Sequence, residues 1–278
     1  MRRKFFAAIT LAATLLLTAC GGGDQPAQKT DGDKPAAKEV TLKIGATPVP
    51  HAEILEEIKS DLKEKGITLE VVEFNDYVQP NIALNDKELD ANFFQHEPYL
   101  NDFVKEHKDV KLKNAGGVHI EPMGVYSKKI KDLKELADGA TVSIPNDPTN
   151  GGRALLLLQK ANLLKLKDGV NETATVQDIA ENPKNLNIQE VEAAQLPRTL
   201  EDVDISIINT NFAMNAELNP MNDALFIEDK TSPYVNIIAV REGDENREEI
   251  KTLLNTIKSD KVKKFIEEKY KGAIVPAF

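Results

Sequence analysis

Tryptophan is absent from the 278 residues, and cysteine occurs once, as Cys20. A single thiol excludes any internal disulfide. Positive charge is scarce: 35 Lys and Arg stand against 45 Asp and Glu, a formal net charge of −10. That balance excludes a general nucleic-acid binder, which needs a basic face, and adhesion to anionic lipid through surface charge. The signatures of catalysis are missing too. There is no GxxxxGK[ST] phosphate loop, no GxGxxG after a strand and no GxSxG elbow, and no pair among His51, His96, His107 and His119 has HExxH spacing. The chain is therefore not expected to be an enzyme, and no cofactor, resident metal or nucleic acid is expected.

The N-terminus is informative. Met1-Arg2-Arg3-Lys4 is a positive n-region, and residues 5–17 are apolar except for Thr10 and Thr14. A spanning helix needs about 20 apolar residues, so this run has the length of a signal-peptide core. Leu17-Thr18-Ala19-Cys20-Gly21 follows. It resembles a lipobox, with cleavage before Cys20 and lipid placed on that residue. A plain secretory signal with an incidental cysteine is the competing reading. It leaves unexplained why the sole cysteine occupies the one position a lipobox requires. Removing residues 1–19 takes three positive charges from a net charge of −10 and leaves about −13. Residues 21–39 are rich in Gly, Pro, Ala, Lys and Asp without apolar periodicity. They are expected to act, with Cys20, as an anchored tether (20–39) reaching roughly 25 Å. The globule then works outside the cytoplasmic membrane.

Beyond residue 40 the periodicity alternates between strand and helix. Strands are expected over 40–45, 67–74, 88–94, 141–144, 186–191, 204–208 and 234–240, with 110–126 mostly extended. Pro48 and Pro50 open a helix that Gly66 closes. Further helices are expected over 77–84, 99–107, 152–164 and 175–181 and in two amphipathic stretches between 245 and 270. Strands separated by helices predict an α/β protein with parallel sheets. The long extended segments 118–126 and 234–240 are expected to cross between two lobes, 40–122 with 238–278 and 123–237. The expected form is a two-lobed clamshell with a double-strand hinge and a ligand cleft between the lobes.

Six of the fifteen Phe and Tyr residues lie between Phe74 and Phe103. Phe93 and Phe94 are adjacent in a strand and must point to opposite faces. One packs in the lobe and the other is free to face a cleft, where Tyr77, His96 and Tyr99 supply polar tips; a single aromatic mini-core is the alternative. Asn146-Asp147-Pro148-Thr149-Asn150-Gly151-Gly152-Arg153 joins a strand to an apolar helix. Glycines before a helix start open backbone N–H groups to an anion, and Arg153 there can grip a carboxylate through two parallel bonds. The alternative is a surface arginine paired with Asp147. Asn209, Asn211 and Asn236 lie at strand ends or at the proposed hinge, where a buried carboxamide needs partners. His51 and His119 are either satisfied loop histidines or cleft residues.

Several segments in order carry a family resemblance: Pro50-His51-Ala52-Glu53-Ile54-Leu55, Asp90-Ala91-Asn92-Phe93-Phe94-Gln95-His96, residues 146–159, Glu181-Asn182-Pro183-Lys184-Asn185-Leu186 and Ser232-Pro233-Tyr234-Val235-Asn236. Over about 240 residues the chain resembles the NlpA/MetQ family of methionine-binding lipoproteins, substrate-binding components of ABC importers. The resemblance implies a periplasmic-binding-protein-like fold, a monomer, and L- or D-methionine as ligand. Its partners would be an ABC permease with its ATPase, and the membrane through lipid on Cys20. It matches Arg153 to the carboxylate clamp, Asn209 and Asn236 to polar groups around the amino-acid backbone, and Tyr77, Phe94, His96 and Tyr99 to the wall around the thioether. Asn211 is carried over less directly, because Phe212 stands where the family pattern has Tyr. The alternatives are another small ligand (a different amino acid, a methionine dipeptide or a metal ion) and a surface lipoprotein with a structural or adhesive role.

Overall fold

A computed structural model of the protein describes residues 39–278. The expected signal sequence, the Cys20 lipidation site and all but the last residue of the expected tether lie outside the described residues. Thirteen strands are described: β1 (Val40–Ala46), β2 (Ile67–Glu73), β3 (Ala91–His96), β4 (Leu112–Ile120), β5 (Gly124–Tyr126), β6 (Thr141–Pro145), β7 (Lys165–Leu166), β8 (Ile179–Glu181), β9 (Asn187–Val191), β10 (Ile205–Ile208), β11 (Phe226–Ile227), β12 (Val235–Arg241) and β13 (Val275–Pro276). They form a six-stranded sheet in the order β13-β4-β12-β3-β1-β2, a five-stranded sheet in the order β11-β5-β10-β6-β9, and a β7-β8 pair.

Both large sheets are mixed rather than wholly parallel. β1 runs parallel to β2 and β3, and β6 parallel to β9 and β10. The antiparallel pairs are made by the strands at the crossings. The chain leaves the first sheet by β4 and returns by β12, so these two must run in opposite directions, and Val235 already pairs with Ile120. Within the second sheet, β5 is antiparallel to β10 and β11. The two crossings are residues 121–123 and 228–234.

The period-2 alternation of the strands sorts apolar side chains to two faces of each sheet. In the first sheet Phe93 and Ile238 pack with Ile54, Leu55, Leu62, Leu253 and Ile266 of flanking helices. Their neighbours Phe94 and Ile237 pack on the other face with Leu84, Tyr99 and Phe103. In the second sheet Ile207 packs with Leu155 and Leu158, and Ile208 with Leu196 and Phe212. No helix among the described residues is long and apolar enough to cross a membrane.

Two local expectations are corrected. Residues 175–181 are not a helix. Thr175 and Asp178 close a capping box around one 3-10 turn, and β8 follows at once. The apolar helix begins at Pro148 rather than at 152 and runs to Lys160. Pro148 is favoured in the first helical turn because its missing N–H and fixed φ cost nothing there. Asp147 is the N-cap, its Oδ1 accepting from Asn150 N at 2.9 Å. Gly151 and Gly152 therefore lie inside the helix. They permit close packing: a Cβ on Gly151 would lie 2.9 Å from Pro145 O, and one on Gly152 only 2.2 Å from Glu172 O.

Gly152→Ala sets two effects against each other. Alanine is the better helix former by about 1 kcal/mol, whereas forcing extra volume into a packed backbone contact costs about 1–3 kcal/mol. The contact is to backbone, which cannot swing away, so the upper part of that range applies and the variant is expected to be less stable by about 1–2 kcal/mol. Urea denaturation of ligand-free protein measures this, and an unchanged or raised midpoint would contradict it.

Candidate ligand-binding site

The structure brings all eight sequence-predicted residues, Tyr77, Phe94, His96, Tyr99, Arg153, Asn209, Asn211 and Asn236, to one cavity. Gln95, Glu121, Asn150 and Thr210 complete its lining. Phe94, Gln95, His96 and Asn236 come from β3 and β12 of the first sheet. Asn150, Arg153, Asn209, Thr210 and Asn211 come from the second-sheet side, and Glu121 lies in the first crossing.

Arg153 is not at the helix start but in the second turn, and it is only 3% exposed. Its partner is not Asp147 but Glu228, in the second crossing. Nε donates to Glu228 Oε1 at 3.2 Å, and Nη2 donates to Glu228 Oε2 and to the backbone O of Glu121, the latter at 2.7 Å. The guanidinium also lies 4.1 Å from the centroid of the Tyr234 ring. Nη1 has no hydrogen-bond partner among the described residues. A charged donor therefore remains available to the cavity.

The carboxamides form a second polar group around Asn150. Its Nδ2 donates to both oxygens of Asp147 at 3.0 Å. Its Oδ1 accepts from Asn209 Nδ2 at 2.8 Å and from His96 Nε2 at 3.1 Å. The His96 tautomer is assigned from its other nitrogen, since Nδ1 accepts from Tyr99 N at 3.1 Å. Asn209 Oδ1 is buried without a hydrogen-bond partner. Such atoms are uncommon, because an unmade bond to a buried acceptor costs about 1–3 kcal/mol. Here the atom belongs to a cavity-lining residue, so a ligand N–H can satisfy it.

Beneath the cavity lie the two histidines left open by the sequence, His51 and His119, both fully buried. His119 Nε2 is 2.7 Å and His51 Nε2 3.2 Å from Glu121 Oε1. Glu121 Oε2 accepts from Asn211 N at 3.1 Å. His51 Nδ1 is 2.7 Å from Thr47 Oγ1, and its Nε2 also reaches Asn236 Oδ1 at 3.0 Å. The donor atoms of His51, His119 and Glu121 lie within 4.8 Å of one another, close enough for a metal ion. The observed bonds instead fit neutral imidazoles that donate from Nε2, His119 to Glu121 Oε1 and His51 to Asn236 Oδ1. Burial lowers the pKa of His51 to about 4 and those of His119 and His96 to about 3, and it raises that of Glu121.

The aromatic wall is continuous. Tyr77 sits 5.8 Å from Phe94, 5.7 Å from Tyr99 and 4.8 Å from Phe212, centroid to centroid. Tyr77 Oη donates to Asn211 Oδ1 at 2.6 Å, and Tyr99 Oη to Tyr77 O at 3.0 Å. Phe212 thus packs on Tyr77 from the second-sheet side.

Sequence reasoning missed Glu121 and Glu228. For Glu121 the available signal was an acidic side chain inside the mostly apolar extended segment 118–126; Glu228, followed by Asp229, Lys230 and Thr231, carried no such signal.

Two mixed sheets joined by two crossings, with a buried polar cavity lined from both sides, define a substrate-binding protein of the clamshell class. The chain belongs to the NlpA lipoprotein family, whose model matches residues 42–278. It is 44% identical over 280 residues to the methionine-binding lipoprotein MetQ of Bacillus subtilis strain 168, covering 99% of each chain. The structure of a nutrient binding protein from Burkholderia cenocepacia bound to methionine superposes with a TM-score of 0.82 at 49% identity, over 85% of this chain and 100% of that one. A periplasmic substrate-binding protein of an ABC transporter from Coxiella burnetii gives 0.81 at 43%, over 85% and 100%.

The buried histidines predict a pH dependence of stability. Their folded pKa values lie below the unfolded value near 6.5. The unfolded chain therefore binds more protons as pH falls below 6.5, and stability must fall with it. Each histidine contributes up to about 1.4 kcal/mol per pH unit. Between pH 6.5 and 5 the three histidines together are expected to give a slope of up to about 4 kcal/mol per unit, reduced to the extent that Glu121 and Asp147, whose pKa values burial raises, take up protons in the folded state. Urea midpoints at pH 7, 6 and 5 measure it, and a flat profile would mean that these imidazoles are not buried and neutral.

Proposed function

We propose that the protein is the lipid-anchored, extracytoplasmic substrate-binding component of an ABC importer, that it takes methionine into this cavity, and that it is not an enzyme. The two sheets are taken as the cores of two lobes, divided at residues 121–123 and 228–234. The observation that carries the reading is one cavity holding a free charged donor, Arg153 Nη1, an unpartnered acceptor, Asn209 Oδ1, and a wall of Tyr77, Phe94 and Tyr99. A zwitterion with an apolar tail fits that set. Its carboxylate takes the Arg153 bond, its ammonium the carboxamide oxygen, and its polarizable sulfur the aromatic edges, each such contact worth about 0.3–1.5 kcal/mol. Relatives named for methionine binding, and a relative's structure bound to methionine, support the same ligand. Delivery to a permease, energy from a separate ATPase, attachment through Cys20 and a monomeric state complete the proposal.

Calorimetric titration of refolded, ligand-free protein tests it. Alanine lacks three heavy atoms of the methionine tail, worth about 0.8 kcal/mol for each methylene-sized group, so it is expected to bind near a hundredfold more weakly. Glutamate brings an unpaired carboxylate against the aromatic wall and is expected to be rejected more strongly. Phe94→Ala should weaken methionine more than alanine. If alanine or glutamate matched methionine, the thioether reading would be wrong.

Arg153→Ala would leave Glu228 buried and unpaired, so a smaller change is the cleaner probe. Arg153→Lys keeps a positive charge beside Glu228 but loses the planar fork. Losing one charge-assisted bond of about 1.5–3 kcal/mol predicts at least about tenfold weaker methionine binding by a folded protein. Binding within threefold of wild type would remove Arg153 from the site.

A further inference from the structure

Tyr77 and Tyr99 line two cavities, the ligand cavity and a second one beside it. The second holds about 210 Å³, more than the roughly 150 Å³ that accommodates a benzene molecule in a protein core. Its apolar lining is Val78, Ala193, Ala194 and Phe212, and Asn146, Asp147 and Glu192 border it. Val78 is 46% exposed, so this space opens to solvent. Tyr77 is the partition between the two. Its ring packs against Phe94 and Tyr99 on one side and against Ala193 and Phe212 on the other. Asn211 lines only the ligand cavity and Phe212 only the second. The backbone at this point is pinned: Val78 N and Gln79 N both donate to Asp76 Oδ1 at 2.7 Å, and Tyr99 Oη donates to Tyr77 O at 3.0 Å. The half-buried ring is held by much less. Its one hydrogen bond is from Oη to Asn211 Oδ1 at 2.6 Å. A neutral bond of that kind shifts an equilibrium by only about twofold to tenfold, and turning the side chain requires no movement of the backbone.

We propose that the second cavity is an extension of the ligand site, that Tyr77 is a gate latched to Asn211, and that the protein accepts amino acids with unbranched, uncharged tails longer than that of methionine. The added atoms pass the Tyr77 ring and lie against Val78, Ala193, Ala194 and Phe212. This inference rests on the methionine reading above for the position of the head and of the first tail atoms. Each added methylene that leaves water strengthens binding about fourfold, so two or three of them offset the opening of the latch. The tail must be uncharged at its end. Asp147 and Glu192 repel an anion there, and no Lys or Arg lines the second cavity to receive one.

The test compares ligands that differ only in the alkyl group on sulfur. Methionine and S-butylhomocysteine are titrated calorimetrically into wild type, Ala194→Leu and Tyr77→Phe. Wild type is expected to bind S-butylhomocysteine no more than about tenfold more weakly than methionine, the full cost of the latch with no gain from the tail. Ala194 lines only the second cavity, so Ala194→Leu fills that space and leaves the first untouched. It is expected to weaken S-butylhomocysteine at least about tenfold, the loss of two buried methylenes, and to leave methionine within threefold. Tyr77→Phe keeps the ring and removes the latch, and is expected to shift the preference toward S-butylhomocysteine by at least about threefold; it serves the test even if Ala194→Leu does not fold. A wild-type loss greater than tenfold for the longer tail, a ratio of the two ligands in Ala194→Leu within threefold of wild type, or an unchanged ratio in Tyr77→Phe would each overturn the proposal. Methionine bound and S-butylhomocysteine rejected sinks the extension alone. Methionine not bound by wild type sinks the methionine reading, and this inference with it.

Discussion

A guanidinium that is 3% exposed must be neutralised from inside the protein, and Arg153 meets that demand by tying together both crossings. Nη2 holds the backbone O of Glu121 in the first crossing, and Nε and Nη2 hold Glu228 in the second. Met123 N adds a long contact to Glu228 at 3.4 Å. Nη1, the guanidinium nitrogen without a partner among the described residues, is therefore fixed relative to both crossings as well as to its own helix. Removing one partner of such a pair costs about 3–5 kcal/mol. Glu228 is thus as much a part of the clamp as Arg153, although it binds nothing in the cavity.

The remaining polar groups follow from dryness. Burial drives the three histidines to the neutral form, so each has one donor and one acceptor nitrogen. That fixes directions. His96 accepts from Tyr99 N and must donate to Asn150, and Asn150 must then turn its amide toward Asp147. Asn209 can donate to the same Asn150 oxygen only by leaving its own oxygen free. The open acceptor in the cavity is thus the end of a chain of bonds that starts at a helix cap.

Much of this was legible in the sequence, and the limits were physical. Phe93 and Phe94 had to face opposite sides of a strand, and they do, one in each layer around β3. All eight predicted site residues reach one cavity because their motifs sit at strand ends and helix starts, where local pattern and family resemblance agree. The helix start was misread because Gly151 and Gly152 look like breakers, whereas the contacts that demand glycine, Pro145 O and Glu172 O, are tertiary. Arg153's partner was hidden for the same reason, lying 75 residues away in sequence. Glu121 sits within two residues of His119, but its link to His51 crosses 70 positions and appears only when β4 and the segment before the first helix are folded together. Local chemistry was readable; pairings set by the crossings were not.

The aromatic wall shows how the two ends of a ligand are made to depend on each other. Phe94 and Tyr99 belong to the first-sheet side, Phe212 and Asn211 to the second. Tyr77 touches both sets, with its ring between Phe94, Tyr99 and Phe212 and its hydroxyl on Asn211. Where the family pattern has Tyr, Phe212 offers no hydroxyl of its own, so the Tyr77 bond to Asn211 is the polar tie across this wall. A tail packed against Phe94 therefore steadies Tyr77, and Tyr77 steadies Asn211, whose backbone N holds Glu121. In the proposed binding mode, tail and head would meet opposite sides of the cavity that one tyrosine joins. Neither a carboxylate nor a thioether alone can complete both, because each leaves one side of that tie without its contacts.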